Sequence, residues 1–150
     1  MIAMTRVVIL AIVLATTACG TGAATFRGSV IAADAEAAGH TFDDVPNPRQ
    51  GQPIVGARVW LTSTNEQGNC QNVLPENLPP GRDEYRPKTV TDREGRFSVH
   101  TTYPGMVGVR TRLLLCIAHP QFEGYEYSRW TDSPESALAN KMLNIRLKRR

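Results

Sequence analysis

The chain has 150 residues, with 17 Lys and Arg against 14 Asp and Glu, 10 Pro, 12 Gly and 3 Cys. That length carries one ordinary domain and is too short for two well-buried ones. A charged fraction of 21% beside so many Pro and Gly excludes a coiled coil and argues against wholesale disorder.

At the N-terminus Arg6 precedes Val7 to Ala15, a run without a polar residue, and Thr16-Thr17-Ala18-Cys19-Gly20 follows. A short positive region, an apolar run and a small-residue stop predict a secretory signal peptide over residues 1–18. The run is too short to span a bilayer as a helix. Small residues followed by Cys resemble the lipobox of bacterial lipoproteins, although Thr16 stands where that pattern usually has an aliphatic residue. The resemblance implies that Cys19 becomes the first mature residue and carries fatty acid such as palmitate, which holds the protein to a membrane. Gly20, in place of an Asp, favours the outer membrane of a bacterial envelope, facing the periplasm or the surface. The other reading is ordinary cleavage after Ala18 or Ala24, which leaves a soluble periplasmic protein. Residues 19–25 are read as the lipid-attachment Cys and a short tether, and 26–150 as the folded domain.

An odd thiol in an exported protein needs an explanation. If Cys19 is acylated or removed, Cys70 and Cys116 remain as one pair in an oxidising compartment, where a disulfide is expected. Two buried free cysteines are the alternative.

The rest of the chain predicts strands. Phe26 to Ala32 reads as the first, and residues 34–53 as a polar excursion interrupted by Pro46, Pro48 and Pro53. Ala57, Val59 and Leu61 alternate with Arg58, Trp60 and Thr62, giving one apolar face; Trp60 on the other implies that this face is covered too. Thr64 to Pro87 forms a long loop containing Cys70. Thr89-Val90-Thr91 and Arg96 to His100 flank Asp92-Arg93-Glu94-Gly95 and predict a hairpin. Tyr103-Pro104-Gly105 reads as a further turn. Leu113 to Ala118 reads as a strand buried on both faces. Glu126 to Thr131 predicts another strand, and Ser133-Pro134-Glu135 the start of a short helix. Leu143, Ile145 and Leu147 alternate with Asn144, Arg146 and Lys148 in a final strand. Such a succession of strands predicts an all-β sandwich.

Three stretches resemble the carboxypeptidase regulatory-like domain: Gly28-Ser29-Val30, Gly51-Gln52-Pro53-Ile54-Val55-Gly56-Ala57-Arg58-Val59 and Thr91-Asp92-Arg93-Glu94-Gly95-Arg96-Phe97-Ser98-Val99. The resemblance covers about Phe26 to Leu147, with an insertion before Gly51 and a long loop around Cys70. It implies a Greek-key, transthyretin-like (prealbumin-like) sandwich of about seven strands, and a module that is mostly non-catalytic. Fold by itself does not give function.

An enzymatic alternative is an intradiol-dioxygenase-like protein, because Thr102-Tyr103-Pro104-Gly105 with His119 faintly resembles that core. That chemistry takes ferric iron on two Tyr and two His, and the His-x-His spacing is missing: His40, His100 and His119 are scattered. No nucleophile motif, phosphate-binding loop or calcium loop occurs either, so no cofactor and no catalytic or metal-ligating residue is assigned. Tyr103, Tyr125, Tyr127 and Trp130, with Arg129, are the candidate binding residues for a glycan or peptide; the alternative is that they cover the sandwich edge. A third reading is a soluble carrier with a small molecule in the sandwich cavity.

The isoelectric point of about 9.0 suggests polyanions. Yet five basic residues fall within Lys141 to Arg150, and residues 19–140 carry 11 basic against 14 acidic side chains. Nucleic acid is therefore excluded as a partner, and a basic strand end that discourages edge pairing is the expected role of the tail. The expected partners are the membrane, through the lipid, and a protein or glycan.

Overall fold

The computed structural model describes residues 20–33, 38–45, 51–64, 69–72, 88–105, 110–134 and 140–150. Among them are the strands β1 (Gly20–Ala32), β2 (Gly39–Asp43), β3 (Arg58–Thr64), β4 (Thr89–Val90), β5 (Arg96–Gly105), β6 (Arg112–His119), β7 (Phe122–Trp130) and β8 (Met142–Leu147), with a 3-10 turn at Cys70–Asn72. They form two four-stranded sheets, ordered β2-β8-β1-β5 and β4-β3-β6-β7. Neighbours are antiparallel except β1 and β8, which run parallel. The protein is an all-β sandwich.

Alternation of side chains explains the layering. Val59 and Leu61 of β3 and Leu113, Leu115 and Ile117 of β6 point inward. There they meet Phe26 and Val30 of β1, Phe97 and Val99 of β5, and Leu143, Ile145 and Leu147 of β8 in one core. Trp60, Leu114, Cys116 and Ala118 project from the outer face of the second sheet and form a smaller buried cluster, with Cys70 packed against it. Trp60 is only 1% exposed. That is why β6 reads as a continuous apolar run: both of its faces are covered.

The glycine-rich stretches serve the backbone. The hydroxyl of Thr91 donates to the Ile54 carbonyl at 2.7 Å and accepts from the Ala57 amide at 2.9 Å. Asp92 Oδ1 accepts from the amides of Glu94 and Arg96, each at 2.9 Å. Gly95 turns the chain at φ +72°, a conformation that side chains rarely adopt. At Gly28 a Cβ would overlap the Leu143 carbonyl, so close parallel pairing of β1 with β8 requires glycine there.

Several expectations are corrected. The first strand begins at Gly20, where it pairs with Gly105, so residues 20–25 are sheet and not tether. Tyr103-Pro104-Gly105 is likewise strand. The polar excursion contains β2, whose Phe42 packs against the core. Thr89 to His100 is a tight turn but not a hairpin: β4 pairs with β3 and β5 with β1, so the Asp92–Gly95 turn carries the chain from one sheet to the other. The final strand lies between β2 and β1, so its basic end guards no edge. The tail crosses instead to the second sheet, where the Glu123 amide donates to the Lys148 carbonyl at 2.8 Å and the Arg150 amide to Gln121 at 3.2 Å. No α-helix occurs among the described residues; most of the helix expected from Ser133, together with residues 1–18, Cys19 and most of 64–87, lies outside them.

Candidate functional site

The four aromatic candidates do not form one patch. Residue parity along β7 puts Tyr125, Tyr127 and Arg129 on its inner face and Trp130 on its outer face. Tyr127 is 4% exposed and belongs to the core. Its ring meets those of Phe26, Phe42 and His40 edge-on, at centroid distances of 6.0, 5.6 and 4.8 Å. The Tyr125 phenol and His40 Nδ1 share a hydrogen bond of 2.6 Å. Burial pushes the Tyr125 phenol above its ordinary value, and the nearby Arg146 charge offsets part of that shift. These rings close the flank between β2 and β7, the edge strands of the two sheets. Trp130 sits apart under the Arg110 guanidinium, 4.8 Å from its ring centroid, and Arg110 pairs with Asp132 at 3.0 Å.

Tyr103 lies elsewhere again. It faces Gly22 across the β1–β5 ladder, and a Cβ at Gly22 would run into its ring. Its ring therefore covers a glycine. It also lines a cleft of about 280 Å³ between the sheets, with Ala24, Thr25, Leu113, Arg129 and Thr131. Arg129, 6% exposed, holds its guanidinium 4.5 Å from the Phe26 ring centroid. A second depression, of about 600 Å³, shares Thr25 and Asn140 with this cleft and is lined further by Arg27, Asp44, Lys141 and Met142. Lys141 pairs with Asp44 there. The two openings adjoin at Thr25 and Asn140 and make this end of the sandwich a candidate for binding.

Cys70 and Cys116 form a disulfide, with Cα atoms 5.5 Å apart. The bond fixes the 3-10 turn against the outer face of the second sheet. The Cys70 amide also donates to Glu126 Oε2 at 3.0 Å, and Glu126 meets Arg112 at 3.4 Å. Closing a loop across a sequence separation of 46 is worth about 4 kcal/mol on chain-entropy grounds.

A polar chain running from buried Ser29 and Asn144 out to exposed Thr41 escaped the sequence reading. Ser29 donates to Asn144 Oδ1 at 2.6 Å, Asn144 Nδ2 donates to Asp43 Oδ2 at 2.7 Å, and Thr41 donates to the same oxygen at 2.8 Å. These bonds, first that from Asn144, hold the Asp43 carboxyl below its ordinary 3.8, with Lys141 adding to the effect and burial opposing it. An amide cannot take the serine proton, so the chain orders the outer face of the first sheet and does not activate a nucleophile.

The histidines have separate partners: His40 has Tyr125, His100 shares 2.8 Å with the Thr25 hydroxyl, and His119 Nδ1 accepts from the Gln121 amide at 3.2 Å. Among the described residues no group of three His, Cys, Asp or Glu is placed to hold a metal ion. Comparison with known proteins adds no relative: no family model, no curated protein and no solved structure matches the chain.

Proposed function

We propose that this protein is a non-catalytic, envelope-anchored lipoprotein whose sandwich is a binding or assembly module of the carboxypeptidase regulatory-like, transthyretin-like, Greek-key type. One observation carries the reading. With Cys70 and Cys116 joined, Cys19 is the single cysteine left over. It stands between an apolar leader-like run and the first residue of β1. The disulfide fits an oxidising compartment, in keeping with export. The roles of Thr91, Asp92 and Gly95 fit the resemblance, whose motif residues serve turns.

Anchoring at Cys19 predicts that the full chain partitions with membranes and incorporates labelled palmitate. Cys19→Ser is expected to lose the label and move the protein to the soluble fraction; an unlabelled wild type would sink the proposal. Because β1 begins at Gly20, the anchor leaves almost no slack, and the end bearing the two openings stands closest to the lipid. A partner therefore has to approach that end from beside the membrane.

A further inference from the structure

Among the described residues, the edge of β1 that addresses β8 is paired over only part of its length. Along a strand, successive residues turn their backbone N–H and C=O groups to opposite sides. The Val30 amide donates to Gly95 at 2.8 Å, the Ala32 amide donates to Gln52 at 2.8 Å, and the Val30 carbonyl accepts from Ile54 at 2.9 Å. Even-numbered residues of β1 thus address the β5 side. Just past the strand, the Ala33 amide donates to Leu147 at 2.8 Å, on the β8 side. The β1–β5 register runs unbroken from Gly20↔Gly105 to Ser29↔Arg96, so this parity holds to the start of the strand. Pairing with β8 begins only at Gly28↔Leu143. The backbone groups of Thr21, Ala23 and Thr25, with the Arg27 amide, therefore lie on an edge that no described residue pairs. Beside Thr25 and Arg27, that edge borders the depression of about 600 Å³.

The length and chemistry of this edge specify what fits there. Thr21 to Arg27 spans about 20 Å at roughly 3.3 Å per residue, the reach of a short extended peptide. Gly20 to Phe26 holds no charge and no proline, the usual defences of a free edge, whereas the open edge of β5 carries Pro104. Of the two cations lining that depression, Lys141 is engaged by Asp44, and Arg27 is exposed with no ion pair to a described residue. We infer that this edge takes an extended, acidic peptide segment of a partner protein, which adds a strand to the first sheet beside β1 and ahead of β8. The choice of a partner over a second copy rests on the anchored-module reading: antiparallel pairing of two copies through β1 would send their Cys19 residues to opposite ends, and one membrane cannot hold both.

The full chain, extracted in detergent, is panned against displayed random short peptides, and enriched sequences are made synthetically. Binding peptides are expected to carry an acidic residue and to slow amide exchange at Ala23, Thr25 and Arg27 by about tenfold or more. Ala23→Pro removes one edge N–H and leaves the β1–β5 bonds intact, so it should weaken binding by at least about tenfold with the thermal midpoint unchanged. If that variant fails to fold, N-methylation of alternate peptide amides tests the same contact and should abolish binding. The inference is overturned if no peptide is enriched, if Ala23→Pro binds equally well, or if protection appears elsewhere. It is overturned equally by a wild-type dimer that Ala23→Pro dissolves. Palmitate labelling of the same preparation separates the two readings: binding without label removes the anchor alone, and label without binding removes the edge site alone.

Discussion

Thr91 shows how much one hydroxyl does in this fold. It bridges the Ile54 carbonyl and the Ala57 amide in a buried position, tying the turn before β3 to the crossover between the sheets. Thr91→Val keeps the shape and orphans both backbone groups. It is expected to cost about 1–3 kcal/mol in urea unfolding. Asp43 gives a pH prediction. Its folded pKa is lowered from 3.8, so the unfolded chain binds the proton more readily. The associated stability is present in full above the unfolded value and is lost as pH falls through the folded one. Wild-type unfolding midpoints should therefore decline as the pH is lowered below about 4, and Asp43→Asn should flatten that decline. The aromatic residues were legible as a group but not as positions. Tyr125 and Tyr127 share a face, as their spacing requires, yet only packing against Phe42 and His40 turned that face inward.

At the scale of elements, period-two alternation predicts β3, β5 and β8 and the continuous apolar run predicts β6, because each strand's burial pattern is written in its own residues. Partners are not written there. The Asp92–Gly95 turn has the chemistry of a hairpin, and its two arms join different sheets. β4 is only two residues long, with Val90 52% exposed, and its ladder is to β3 and not to β5. β2 was illegible because Gly39 and Asp43 disfavour strand, and Thr41 and Phe42 are too short a run to signal one. The β1–β8 pair makes a sharp test. Gly28→Ala sets a Cβ against the Leu143 carbonyl, and the backbones must separate. We expect a loss of at least about 1–3 kcal/mol, with amide protection falling first at Ser29 to Ala32.

Over the whole molecule, the described residues build a core between the sheets and a smaller cluster outside the second sheet, and two stitches add to them. The tail ties β8 to β7, and the disulfide ties the 3-10 turn to β6. Replacing Cys70 and Cys116 together with Ala should lower unfolding free energy by up to about 4 kcal/mol while the sheets persist in circular dichroism; an unchanged midpoint would show that the bond constrains little. The amino-acid sequence alone determined the all-β class, most of the strands and the turn chemistry, since these follow from local periodicity and backbone preference. Tertiary structure decided which strands pair, that β1 extends back to Gly20, that Cys70 and Cys116 meet, and that the tyrosines turn inward. It also left the β8 side of the first residues of β1 unpaired by any described residue. The physical reason is that pairing and burial are set by groups far apart in the chain, and no local pattern records which of two available neighbours a strand will meet.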